Sequence, residues 1–356
     1  MAKIMAKQTN VPRVSIVMSV FNTDLAYLHE AVDSVLNQTY TSYELLIIDD
    51  GSDSGARIKP TVQEYLSDPR VRYIRLDQNS GGAHAKNVGI QNSQGEYIAI
   101  LDSDDVAYPD RIRKQVEYLD SHPDVGVLGT HVDTKEYASN GTVLINRWNF
   151  PSPTVDDEIK LHFLFNGNML CHSTIMYRKS VLMAADLLYD EKSQAAEDYC
   201  MYIALAPLTK FSVLDETLGL YRSHGGNVSH QLGQIQKSEA GSYQINYFER
   251  YFSVKFTPVE TDIFYLIFRS RTEDYYAKRI SFEEIDRFTE KLIGILKKHN
   301  IEDVAISKYF GGRYRNLFRI LKGIRNQYRL FRSFGAGYFR IPFHWKIFYL
   351  IKKGLL

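Results

Sequence analysis

The stretch Tyr97-Ile98-Ala99-Ile100-Leu101-Asp102-Ser103-Asp104-Asp105 decides how this chain folds. Its apolar half has the length of one strand, and its end carries the carboxylates Asp102, Asp104 and Asp105, which an apolar core cannot hold unpaired. The run therefore reads as a buried strand whose C-terminal end opens at an exposed sheet edge, where α/β proteins hold their ligands. On extended backbone Asp102 and Asp104 face the same side, as a hard cation such as Mg²⁺ or Mn²⁺ held against a diphosphate would need.

Outward from that strand, the sequence alternates in the way a parallel sheet requires. Residues 14–20 form an apolar run; residues 25–38 have helical spacing at Leu28, Ala31, Val32 and Val35; residues 43–48 form a second apolar run closed by Asp49-Asp50-Gly51-Ser52. A helix at 57–66, a strand at 71–76 and a helix at 83–92 complete the pattern up to the strand at 97–101. The prediction is a doubly wound, mostly parallel α/β sheet. Parallel strands bring their ends together, so Ser19-Val20-Phe21-Asn22, Asp49-Asp50-Gly51-Ser52 and Asp102-Ser103-Asp104 are expected to share one crevice. Between them, Asn79-Ser80-Gly81-Gly82 is a glycine turn entering a helix that carries Lys86, a combination suited to a phosphate.

The bulk composition excludes other classes. The 356 residues, 44% apolar and 13% aromatic, can build one large domain and a smaller one, and a net charge of +1 provides no global field for nucleic acid. Two cysteines, Cys171 and Cys200, have no metal spacing and no disulfide framework, as expected of a reducing cytoplasm. His84, His122, His131 and His162 show no ligand spacing either. No apolar run approaches the roughly 20 residues of a spanning helix, which predicts a soluble or peripheral chain.

Six segments taken together resemble the successive motifs of family 2 glycosyltransferases with the GT-A fold, a Rossmann-like sheet. They are VSIVMSVFN (14–22), ELLIIDDGS (44–52), NSGGAHAKNVGI (79–90), GEYIAILDSDD (95–105), AEDYCMYIAL (196–205) and YRSHGGNVS (221–229). HSTIMYRKSV (172–181), followed by the last two, resembles bacterial enzymes that extend lipooligosaccharide or capsule, including β-1,3-N-acetylglucosaminyltransferases. The resemblance implies an inverting, metal-dependent transfer from a UDP-sugar to a glycan acceptor, with Mn²⁺ or Mg²⁺ as cofactor.

On this resemblance Asp50 accepts from the uracil imide, the backbone at Val20, Phe21 and Asn22 frames the base, and Asp102 with Ser103 faces the ribose. Asp104 binds the metal, His224 joins it as a loop closes, and Lys86 and Arg222 reach the diphosphate. Lys86 stands where many relatives carry arginine, so bidentate geometry is lost there. Asp198 is implied as the general base, with Glu197 beside it; taken alone, two acids in the first turn of a helix would serve only as a cap. His172 falls on the acceptor side.

The expected organisation is a disordered leader at 1–11, a catalytic domain at 12–230, a helical accessory region at 231–303 and a basic tail at 304–356. Helices are predicted at 234–251, 261–276 and 282–298, the last opened by a capping box of Ser281 and Glu284. From Val304 onward there is no Asp or Glu, while lysines and arginines interleave with aromatics. Tyr314, Leu317, Phe318, Leu321, Ile324, Tyr328 and Phe331 share one helical stripe, which predicts an anchor on an anionic membrane surface, with a lipid-linked acceptor at the inner face of the plasma membrane.

Two other classes fit less well. A nucleotidyltransferase needs a glycine-rich basic loop straight after the first strand, where this chain reads Phe21-Asn22-Thr23-Asp24. A noncatalytic nucleotide-sugar-binding or scaffold protein of a glycan assembly complex would have no chemical reason to keep Asp102, Asp104, Asp198 and His224 together.

Overall fold

Continuous apolar runs, rather than alternating ones, are what a sheet covered on both faces demands. In the computed structural model, which describes residues 11–137, 143–147, 153–269, 280 and 282–299, Leu45, Leu46, Ile47 and Ile48 have no exposed surface. They belong to β2 (Tyr43–Asp49), which pairs in parallel with β1 (Val14–Val20) on one side and β3 (Val71–Arg75) on the other. β4 (Tyr97–Ile100) lies parallel to the far side of β1.

The helices of this half follow from their caps and stripes. In α1 (Leu25–Leu36) the Asp24 carboxylate accepts from the Ala26 and Tyr27 N–H groups, and Leu28, Ala31, Val32 and Val35 form the buried stripe. α2 (Ile58–Gln63) is shorter than its pattern suggests: residues 64–67 are turn, and at its start Arg57 adopts a left-handed φ of 54° that separates it from a 3₁₀ turn at Ser54–Ala56. α3 (Gly82–Asn92) crosses β1 so closely that Gly89 meets Val17.

Beyond β4 the sheet changes character. The elements are β5 (Val106–Ala107), α4 (Arg111–Ser121), β6 (Val125–Tyr137), β7 (Val143–Arg147), α5 (Asp156–Phe165), β8 (Met176–Arg178), α6 (Lys179–Ala184), α7 (Glu197–Leu205), β9 (Lys210–Ser223) and α8 (Val228–Gln231). β8 pairs antiparallel with both β4 and β6, and β9 runs parallel to β6. Among the described residues the strand order is β3-β2-β1-β4-β8-β6-β9-β5, with β7 on β6. The fold is thus the expected α/β sheet, parallel in its first half and mixed in its second. Residues 211–214 and 217–220 lie in one strand, since a shift of register at Thr130 and His131 accommodates the exposed Asp215 and Glu216 as a bulge.

Two units emerge from the chain's contacts, 1–160 with 168–239 and 161–167 with 240–356. The first extends past residue 230 because α9 (Gly233–Tyr251) grips the segment before α7: Glu239 accepts from Ser193 Oγ, Gln194 N and Ala195 N at 2.9, 2.9 and 3.0 Å, and Gln236 donates to the Ala195 carbonyl at 2.8 Å. The described part of the second unit is helical. Within it Phe248 packs against Phe165, Phe252, Phe256 and Phe264. α10 (Pro258–Arg269) begins earlier than its apolar pattern, because Thr257 and Glu260 exchange capping-box hydrogen bonds of 2.8 and 3.2 Å. α11 (Phe282–Lys298) matches the expected helix. The capping role read for Ser281, the leader at 1–11 except Val11, and the basic tail from 304 onward lie outside the described residues.

A methyl group on Gly89 would stand 2.4 Å from Cγ1 of Val17, a branched core side chain with no exposed surface and no room to swing aside. Gly89→Ala is expected to destabilise the protein by about 1–3 kcal/mol, the cost typical of overpacking, read as a lower urea midpoint at unchanged slope.

Candidate active site

The carboxyl ends of β1, β2 and β4 are tied into one edge by their own backbone. Asp50 N donates to the Val20 carbonyl at 2.8 Å, Asn22 N to Ser52 Oγ at 3.0 Å, and Leu101 N to the Val17 carbonyl at 3.1 Å. Thr23 and Ser103 hydroxyls meet at 2.7 Å. Phe21 leaves this edge 46% exposed, while Asn22 takes a left-handed φ of 50° and bonds Asp53.

Asp50 is 2% exposed, and its carboxylate accepts the backbone N–H groups of Ser80 and Gly81 at 2.8 and 2.9 Å. It thereby fastens the glycine turn at the start of α3. Gly81 sits at φ 95°, a conformation that favours glycine. Lys86, one turn into α3, is 6% exposed and reaches Glu197 Oε1 at 3.0 Å, bringing α3 and α7 together. Burial works against its proton, but the charges of Glu197 and Asp102 override that and hold the ammonium above its ordinary range.

The end of β4 is crowded with acids. Ser173 Oγ lies against Asp102 Oδ2 at 2.9 Å and is also bonded to Asp105. Burial, then the charges of Asp104 and Asp102, push Asp105 well above the usual carboxylate range. Asp104 is raised as well, by burial and by Asp102. Its Oδ2 lies 2.9 Å from His224 Nε2, and Gly226 N approaches Nδ1 at 3.1 Å. Asn227 Nδ2 approaches the same Asp104 oxygen at 3.4 Å.

Arg222 departs from expectation. Alternation along β9 points it inward, so it is 0% exposed, with Nε donating to the Asp104 carbonyl at 2.7 Å, Nη2 to Glu30 at 2.7 Å, and its guanidinium 4.2 Å from the Tyr27 ring centroid. It underpins the acidic loop and presents no exposed face to a diphosphate.

At the start of α7 two neighbouring acids are driven apart. Glu197 is drawn down to about 2, because Lys86, with help from His172, overcomes the effect of burial. Asp198 is pushed up to about 7 by burial and by the charge of Glu197. Its oxygens accept from Tyr199 N and Asn168 Nδ2, both at 2.6 Å. His172 is held down at about 4 by burial and by Lys86, and its Nε2 meets Tyr189 Oη at 2.8 Å. Ser173, Asn168 and Tyr189 are not among the site residues expected from the sequence, where no spacing marks them.

Among the described residues no group of three or more His, Cys, Asp or Glu is arranged to hold a metal ion. The residues present nevertheless fit a divalent cation. Asp102 and Asp104 are hard oxygen donors at one sheet edge, and the charge of Asp102 adds to burial in displacing Asp104 upward. One or two protein carboxylates suffice where substrate phosphates and water complete the shell.

Comparison with known proteins shows the family and the fold. The family model for glycosyl transferase family 2 matches residues 15–184. An uncharacterized glycosyltransferase of Methanocaldococcus jannaschii is 31% identical over 241 residues, covering 67% of this chain and 80% of that protein. One from a Nostoc species is 31% identical over 252 residues, covering 68% and 76%. Among solved structures, S. aureus TarS 1-349 in complex with UDP-GlcNAc superposes with a TM-score of 0.55 at 17% identity over 82% of each chain. The same protein in complex with UDP gives 0.53 at 20% identity over 76% of each chain.

Removing the Lys86 ammonium would leave the Glu197 carboxylate without its partner. Lys86→Met is expected to cost about 3 kcal/mol at pH 7, as breaking a buried ion pair does. Glu197 has a depressed folded pKa, so the stability it contributes is present above its ordinary 4.5 and is lost as pH falls toward about 2. The gap between parent and variant in urea denaturation should therefore shrink between pH 7 and pH 3; a constant gap would contradict the ion-pair account.

Proposed function

The chain belongs to glycosyl transferase family 2 with the GT-A fold, and within that activity we propose an inverting transfer from a UDP-sugar to a glycan hydroxyl, with Asp198 taking the acceptor proton. The observation that carries this reading is the pair of neighbouring acids on α7, one held ionised at about 2 and the other poised at about 7. A base must be ionised yet basic enough to accept a proton near neutrality, and Asp198 alone of the two meets that need.

The donor lies along the sheet edge in this proposal. The uracil rests by Val20, Phe21 and Asn22, and its imide N–H shares the Asp50 carboxylate with Ser80 and Gly81, which a group with about four lone-pair sites allows. TarS, whose fold this chain shares, was solved with UDP-GlcNAc, which supports a UDP-sugar such as UDP-GlcNAc. Asp102 and Ser103 face the ribose. Mn²⁺ or Mg²⁺, when bound by Asp104 with His224, supplies neutralisation of the departing diphosphate. Lys86 adds a fixed positive charge beneath the same position while holding Glu197 in place. Asp198 then draws the proton from the acceptor hydroxyl on the opposite side of the anomeric carbon, and His172 borders the acceptor.

The acceptor is proposed to be a lipid-linked bacterial surface glycan. The basic, aromatic composition of 304–356 supports approach to an anionic membrane, and among the described residues no helix is long and apolar enough to cross one.

Release of UDP from a panel of UDP-, GDP- and dTDP-sugars with acceptor glycan is expected for one UDP-sugar, with Mn²⁺ present and not with chelator. Asp198→Asn should reduce turnover by about 10²–10⁴-fold while UDP still binds, the range general-base catalysis contributes. Because Asp198 is protonated below its raised pKa of about 7, kcat/KM should climb through that pH. Unchanged turnover in Asp198→Asn would sink the assignment. In liposome flotation, the chain should float with vesicles containing anionic lipid, and replacing Arg313, Arg315, Arg319 and Lys322 by Gln should reduce recovery; equal recovery would remove the membrane reading.

A further inference from the structure

Gly167, at φ 90°, turns the chain so that Asn168 faces the start of α7. The Asn168 amide has one orientation available. Its Oδ1 accepts from Leu170 N at 2.8 Å and its Nδ2 donates to Asp198 Oδ2 at 2.6 Å. The reversed amide would set oxygen against carboxylate and N–H against N–H, two repulsive contacts in place of two hydrogen bonds. The other Asp198 oxygen accepts from Tyr199 N at 2.6 Å, so the carboxylate is held at both ends and cannot rotate.

From this arrangement we propose that Asn168 is the positioning residue of the transfer reaction, fixing the aim of the Asp198 carboxylate and favouring its ionised form. The inference rests on Asp198 being the general base. A neutral amide is well chosen for the task. It donates to the ionised carboxylate without adding a cation that would make Asp198 too weak a base, and it counters the burial and the Glu197 charge that oppose ionisation. The backbone bond from Leu170 makes the donor rigid, so the hydrogen bond holds its direction when the acceptor arrives. Asn168 touches none of the groups proposed to hold UDP, so its effect should fall on the chemical step.

The test is steady-state kinetics of the full chain across pH, with UDP binding, for Asn168→Ala, Asn168→Asp, Asp198→Asn and Asn168→Ala/Asp198→Asn. Asn168→Ala should lower kcat by about 10–100-fold, the usual effect of removing an orienting partner, with UDP affinity within about twofold of the parent. Its acidic limb should move to higher pH, because the ionised form has lost a donor. Asn168→Asp, which keeps the shape, should move the limb further up by setting a second carboxyl beside the first, and it carries the test if the alanine variant does not fold. The double variant should be no slower than Asp198→Asn, since a positioning residue has nothing left to position.

An unchanged kcat and limb in the Asn168 variants, with Asp198→Asn inactive, would overturn this inference alone. A lowered kcat with an unmoved limb, or a further loss in the double variant, would overturn it in favour of a structural role. Parental turnover in Asp198→Asn would overturn the general-base reading and this inference with it.

Discussion

Carboxylates converge on the end of this sheet faster than the fold supplies charged partners for them, and the surrounding structure is organised by that imbalance. Asp104, Asp105 and Asp198 are all displaced upward, each with burial as the first cause and a neighbouring carboxylate as the second. Such crowding costs stability, and a fold selected for stability alone would exchange these groups for apolar ones. The edge is instead braced from beneath: Arg222 grips the Asp104 carbonyl, Asp105 accepts from Arg222 N and shares Ser173 with Asp102, and Lys86 joins α3 to α7 through Glu197. The braces leave Asp104 and Asp198 partly accessible, so the strain is concentrated where a cation and a proton are proposed to act.

Lys86 shows how a single charge serves two neighbours differently. It is hydrogen-bonded to Glu197, so it can hold Glu197 ionised, but Asp198 feels Glu197 more strongly than it feels Lys86. The ionised Glu197 therefore raises its neighbour rather than being raised with it. Burial, one lysine on another helix and the ionised Glu197 thus reverse the ordinary order of these two acids, in which aspartate is the stronger.

The strand ends were legible in the sequence because their pattern is a property of the strands themselves: an apolar run long enough to be buried, then acids that cannot be. Helix α1 was legible down to its buried stripe for the same reason. Other features required tertiary information. On the sequence Arg222 is assigned to the diphosphate, and only the alternation along β9 turns it inward onto Glu30 and Tyr27. The break at Asp215 and Glu216 made β9 look like two strands, since a bulge is invisible until its partner strand is known. Gln236 and Glu239 look like ordinary helix surface in the sequence, because their partners at 193–195 lie far back in the chain.

Asn168 and Ser173 mark a sharper limit. Both are small polar residues in an irregular segment, with no spacing that distinguishes them from a loop, yet they touch Asp198 and Asp102 directly. The segment that carries them connects α5 to β8, and β8 enters the sheet antiparallel beside β4. That placement lays the segment's neutral donors along the acids of β4 and α7. A parallel strand in that position would have needed a crossover helix and would have brought its own carboxyl end to the same edge. The antiparallel insertion instead supplies the edge with hydroxyl and amide groups that steady carboxylates without neutralising them. The change from parallel to mixed sheet after β4 is therefore more than a variation of topology: it is how the fold surrounds an acidic site with orienting groups that carry no charge.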